Sequence, residues 1–147
     1  MLLHGPICVA QDESYKEQID KMVEEAENFD NSLKTNPLEF SSYDKWYKDF
    51  KKLSKEFEKD FSSTHKQKKS FQSIEKVVEE LSFAWTMLHQ AKYAQEQYQE
   101  SITLNQVDYA HKWKSTEVEE RKKALEAIAK AVETLKDTQI SLQEEEK

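Results

Sequence analysis

Asp108 and His111 stand three residues apart, the spacing at which one helical face offers a carboxylate and an imidazole to a metal ion. Helical metal bundles repeat that pair on a second helix and add further glutamates. This chain has no second copy, and His4, His65 and His89 belong to none. A hairpin that brought Gln95 or Glu96 to face His111 would make a thin site at most. The expectation is therefore no bound metal and no cofactor, with Asp108 and His111 as the weak candidates.

Other chemistry is excluded by residue type. One glycine leaves no phosphate-binding loop and no Gly-x-Ser-x-Gly elbow. One cysteine, Cys8, leaves no zinc ribbon, no haem attachment site and no disulfide. Carboxylates abound, but lysines sit four residues from them, as at Glu17/Lys21 and Glu126/Lys130. That spacing suits solvated ion pairs worth a few tenths of a kcal/mol, about 0.2–0.5 each. No catalytic residue is expected, and the protein reads as a non-enzyme.

The elements that must position any function are long helices. Residues 71–142 contain no glycine or proline. Phe71, Ile74, Val78, Leu81, Trp85 and Leu88 recur at alternating spacings of three and four, an apolar seam broadened by Val77, Ala84 and Ala91. A second run carries Val118, Leu125, Ile128, Val132, Leu135 and Leu142, flanked by Ala124 and Ala131. Polar residues Lys92, Gln95, Arg121 and Gln139 interrupt the two seams, as register devices or as exposed positions. Both seams weaken around 103–106, where Thr103 and Gln106 match a capping box. The expectation is a hairpin turning there, with Trp113 opposite Tyr93 and Val118 opposite Leu88. The alternative is one very long helix in a three-helix bundle.

Two shorter helices precede that pair. The first starts at Asp12, buries Tyr15, Ile19, Met22, Val23, Ala26, Phe29 and Leu33, and stops at Asn36-Pro37. The second, capped by Ser41 or Ser42, has an aromatic face of Tyr43, Trp46, Tyr47, Phe50, Leu53, Phe57 and Phe61. Large rings need small residues opposite, and Ala84, Ala91, Ala94, Ala124 and Ala131 are available. Ser62-Ser63-Thr64-His65 ends this run, and Thr64 with Gln67 matches a second capping box. The fold class is all-α, an up-and-down four-helix bundle with two shorter helices packed on a long C-terminal hairpin.

Residues 1–10 are apolar and give way abruptly to Gln11-Asp12-Glu13. Cys8 and Ala10 sit at the −3 and −1 positions of a signal-peptidase site before Gln11, with Gly5-Pro6 just upstream. The basic and long apolar parts of a leader are missing, so these residues read as a signal-peptide remnant, with an apolar N-terminal arm as the alternative. Residues 11–147 form one domain. The expected location is periplasmic or secreted, with a cytoplasmic adaptor as the alternative.

Net charge is −7 and uneven. Residues 12–34 hold 8 acids against 3 lysines, and residues 44–69 hold 9 lysines against 5 acids. Mutual attraction between the two helices accounts for this, or opposite patches serve partners. Twenty-one lysines against one arginine, Arg121, in an acidic chain argue against nucleic acid. No apolar run is long enough to span a bilayer.

The function expected is an exported, non-enzymatic protein-interaction or structural module. Its partner is another protein or a second copy, a homodimer included. Trp46, Tyr47, Trp85, Tyr93 and Trp113 are the candidate interaction residues, because aromatic area dominates interfaces when it is not core. A small bundle carrying a metal ion or apolar ligand is the alternative from another class, and an intracellular coiled-coil adaptor is a third.

Overall fold

The computed structural model describes residues 6–145, with side chains from Asp12 onward. Four helices follow in order: α1 Pro6–Ser32, α2 Phe40–His65, α3 Lys69–Thr103 and α4 Val107–Glu145. Backbones pack α1 on α2, α2 on α3, α3 on α4 and α4 on α1 among the described residues, and across the diagonal the Tyr15 hydroxyl of α1 meets Ser70 Oγ of α3 at 2.5 Å. This is the all-α, up-and-down four-helix bundle that the hydrophobic periods require. The backbone is already helical at Pro6, so the expected start at Asp12 lies inside α1. Proline suits that first position, where its missing N–H has no intrahelical partner to lose. Residues 1–5 of the expected leader remnant lie outside the described residues.

The aromatic face of α2 meets other rings rather than alanines. Phe57 lies 5.2 Å from Tyr15 on α1 and 5.4 Å from Phe71 on α3, centroid to centroid. Trp46 stacks on Phe29 of α1 at 4.7 Å. Buried rings must also satisfy their polar atoms. The Tyr43 hydroxyl donates to the Leu81 carbonyl at 2.7 Å, and Trp46 Nε1 donates to the Glu25 carbonyl at 3.2 Å. Trp85 Nε1 donates to Asp44 Oδ1 at 2.8 Å, pinning α3 to α2. That N–H and Lys48 hold the Asp44 carboxyl below the usual carboxylate range, while burial pushes the Tyr43 hydroxyl well above its ordinary value. The phenol therefore stays a donor at neutral pH.

The alanines serve the α3–α4 contact, the most extensive in the molecule. Ala84, Ala91, Ala94, Ala124, Ala127 and Ala131 are all buried, and their small side chains let the two backbones approach closely. The α4 seam buries Ile128, Val132, Leu135 and Leu142 as expected and departs from the expected line only in its first half. Ala110, Glu117, Ala124, Ala131 and Thr138 lie at its centre, while Val118 and Leu125 are 56% and 42% exposed. Val118 therefore does not sit in the seam opposite Leu88. Ala124 and Ala131, expected to flank the seam and let a partner helix approach, are buried at its centre, and the bulkier Val118 and Leu125 are displaced to its edge.

The expected caps are not used. Neither Glu39 before α2 nor Lys68 before α3 makes a side-chain cap, and Ser42 donates instead to the Glu39 carbonyl. Thr64 and Thr103 fall at the ends of helices rather than at their starts. Thr103 Oγ1 donates back to the Gln99 carbonyl. The hairpin turn is made by the backbone. Gln106 N–H bonds to the Ser101 carbonyl at 2.8 Å and Asn105 N–H to the Ile102 carbonyl at 3.0 Å, with Asn105 at φ 59°. These are the paired bonds of a Schellman stop, with asparagine in the left-handed position usually held by glycine. Asn105→Val is expected to destabilise the protein by about 1–2 kcal/mol in urea unfolding, because a β-branched side chain is strained there. Thr103→Ala, which would cost about 1 kcal/mol at a true N-cap, is expected to be near neutral.

Candidate functional site

The two halves of the molecule differ in length. α1 and α2 have 27 and 26 residues, α3 and α4 have 35 and 39. At the end holding the α1–α2 connection, the short helices stop first. Phe40 there packs edge-on to Trp85 and to His89 of α3, and Lys92 Nζ lies 5.3 Å above its ring. Beyond that level α3 and α4 run on as a bare two-helix tip. Eleven residues from Tyr93 to Thr103 extend it by about 16 Å at 1.5 Å per residue.

A buried charge marks the junction. Glu117 is 6% exposed and occupies a seam position held elsewhere by alanine. Its carboxylate takes Arg121 Nη2 at 3.3 Å on one oxygen and Lys114 Nζ at 3.3 Å on the other. Arg121 Nη1 also donates to the carbonyl of Leu38, a buried residue in the α1–α2 connection. Arg121 is thus the tie between that connection and α4. Gln139, the other polar interruption, reaches Asp20 of α1 at 2.8 Å. Lys92 and Gln95 are exposed and line an open cleft of about 500 Å³ with Pro37, Phe40, Leu88 and Arg121.

The tip has little to cover its apolar groups. Of nine large hydrophobic residues that are exposed among the described residues, five lie between positions 93 and 109, which concentrates them on this projection. They are Tyr93, Ile102, Leu104, Val107 and Tyr109, each half or more exposed. Ile102, Leu104 and Val107 surround the turn itself. Ala94, Ser101 and Ala110 are buried between the two helices and hold them close. Tyr93 and Trp113 meet edge-on at 5.7 Å, which is the pairing expected from a turn near Thr103. Lys112 lies over Tyr109 and Lys114 over Tyr98, so the flanking cations pack on rings.

The five candidate aromatic residues are therefore distributed unequally. Tyr47 is 8% exposed and packs within α2 and the core. Trp46 and Trp85 are half-buried, each with its indole N–H committed to a neighbouring helix. Tyr93 and Trp113 lie together on the tip. Asp108 and His111 are both exposed in the first turns of α4. No group of three or more His, Cys, Asp or Glu side chains is placed to hold a metal ion among the described residues. No described helix is long and apolar enough to cross a membrane. Among the described residues Glu17 forms no ion pair with Lys21, and Lys130 pairs with Glu80 of α3 at 3.3 Å rather than with Glu126.

Sequence reasoning did not find the apex. Ile102, Leu104 and Val107 follow no helical period with one another, and only the placement of the turn between them reveals a cluster. The signal available was the loss of apolar residues from both seams on either side of it. No protein-family model, no curated protein and no solved structure matches this chain.

Proposed function

We propose that this chain is a non-enzymatic interaction module that docks a protein partner through the tip of its α3–α4 hairpin. The observation carrying this reading is the concentration of exposed apolar residues on a projection that the four-helix body leaves bare. Isolated apolar residues on a surface need no explanation, but a cluster at the end of a rigid arm marks a contact site. The body supplies rigidity through its ring-on-ring core, and the alanine-packed hairpin carries the apex beyond it. Tyr93 and Trp113 supply aromatic area on the flank, and Leu104 and Tyr109 supply the most exposed part of the tip.

The proposal includes export, on the strength of Cys8-Val9-Ala10 before the polar switch at Gln11. The mass of the mature protein from its natural source tests that part, since cleavage leaves Gln11 as the first residue. Docking is tested by placing a photo-crosslinking residue at Leu104, at Tyr109 and, on the body, at Lys130. Protein adducts in an extract of the source cells are expected from the two tip positions and not from Lys130. Equal labelling from all three would sink the tip as the docking element.

A further inference from the structure

The charges on α1 and α2 are arranged as two stripes of equal length. On α2, Lys45, Lys48, Lys52, Lys55 and Lys59 alternate at spacings of three and four, so all five lie along one side of the helix. All are exposed. Among the described residues only Lys48 has an ion pair, with Asp44 on its own helix at 3.0 Å. On α1, Glu13, Glu17, Asp20, Glu24 and Glu27 alternate in the same way. Each stripe spans about 21 Å of helix at 1.5 Å per residue.

These stripes do not meet within one chain. α1 faces α2 through Gln18, whose amide donates to Asp60 at 3.0 Å, and through the Glu25 carbonyl that accepts from Trp46. Asp20 of the acidic stripe lies instead towards α4, where it accepts from Gln139. No lysine of α2 bridges a carboxylate of α1 among the described residues. The expected attraction between the two helices therefore forms no ion pair between the stripes, which lie on different sides of the bundle and whose partners among the described residues are Asp44 for Lys48 and Gln139 for Asp20.

We propose that copies of this chain associate side by side, the lysine stripe of α2 on one copy seated against the acidic stripe of α1 on the next. The occupant is a second copy because the same chain carries a surface of opposite sign with matching length and spacing. Two different patches on one molecule make a head-to-tail contact, which extends into rings or open rows rather than closing as a twofold dimer. The contact is made mostly of exposed charges, Asp20 and Glu27 being half-buried, so it is weak and salt-sensitive. It uses faces remote from the hairpin tip and is separate from docking there.

Sedimentation of the full chain over a concentration series tests this. At about 0.01 M salt, where the screening length is about 30 Å, the average mass is expected to rise above the 17.4 kDa monomer with concentration. At about 0.5 M salt the association constant is expected to fall by at least about tenfold. Two triple variants, Lys52→Glu/Lys55→Glu/Lys59→Glu and Glu13→Lys/Glu17→Lys/Glu24→Lys, should each stay monomeric with helical circular dichroism intact. Mixed in equal amounts they should assemble, because each then offers what the other lacks. Leu104→Ser, which disturbs the tip, should leave assembly unchanged. A wild-type chain that is monomeric at low salt overturns the proposal, including one whose lysine stripe binds anionic phosphatidylserine vesicles instead. So does a lysine variant that assembles like wild type, or a mixture that fails to assemble.

Discussion

Arg121→Leu is expected to lower stability by about 2–3 kcal/mol. The cause is the carboxylate it leaves behind. Glu117 is 6% exposed and holds two cations, Arg121 and Lys114, each at 3.3 Å. Removing one partner of a buried pair typically costs about 3–5 kcal/mol, because the remaining charge keeps its desolvation penalty. Lys114 stays to compensate part of it, which sets the lower figure. The Leu38 carbonyl also loses its guanidinium donor, freeing the α1–α2 connection. The sharper expectation concerns the pair. Glu117→Ala restores the alanine found at positions 110, 124 and 131 of the same seam. The double variant Glu117→Ala/Arg121→Leu should therefore recover most of the loss and stand within about 1 kcal/mol of wild type. Urea unfolding of the four proteins gives the cycle. Additive losses would mean that Arg121 acts mainly through the Leu38 carbonyl and that Glu117 is not held by it.

That pair explains why the sequence revealed some of the fold and concealed the rest. A three-and-four spacing reports which side of a helix is buried, and it located all four helices and the aromatic face of α2. It does not report how close two helices lie. In α3 and α4 the small residues Ala84, Ala91, Ala124 and Ala131 are buried in the contact, while the bulkier Val118 and Leu125, placed in the seam by their period, are exposed. A polar interruption is equally ambiguous in one dimension. Arg121 and Gln139 reach across to the connection and to α1, whereas Gln95 is exposed where α1 and α2 have ended. Thr-x-x-Gln patterns misled for a related reason. Threonine near a helix end can donate to a preceding carbonyl as readily as it caps a following helix. The turn instead depended on one asparagine able to take a left-handed backbone. The tip itself is a tertiary property, created because α1 and α2 are shorter than the hairpin they pack against.

Phe57→Ala should be the most damaging substitution in the body and should leave the tip working. Phe57 is 1% exposed and lies against Tyr15, Phe61 and Phe71, so it joins α1, α2 and α3 at one point. Truncating a buried phenylalanine costs about 3–5 kcal/mol from lost transfer energy and the space left behind. The residue also lines an open cleft of about 280 Å³ between α2 and α3, with Phe71, Ile74 and Val78. The vacated volume merges with that cleft, so the neighbouring rings cannot simply close over it. For a chain of this size the midpoint of thermal unfolding should fall by about 10 °C, and a loss of this size is a large part of a typical domain's stability. The tip is built differently. Its two helices are held by Ala94, Ser101 and Ala110 and by the Schellman stop at Asn105, and none of these touches Phe57. Below its unfolding midpoint the variant should therefore give the same crosslinked adducts from Leu104 and Tyr109 as wild type. Loss of those adducts while circular dichroism still shows a folded chain would mean that the partner contacts the ring-packed body, and docking by the hairpin apex would have to be abandoned.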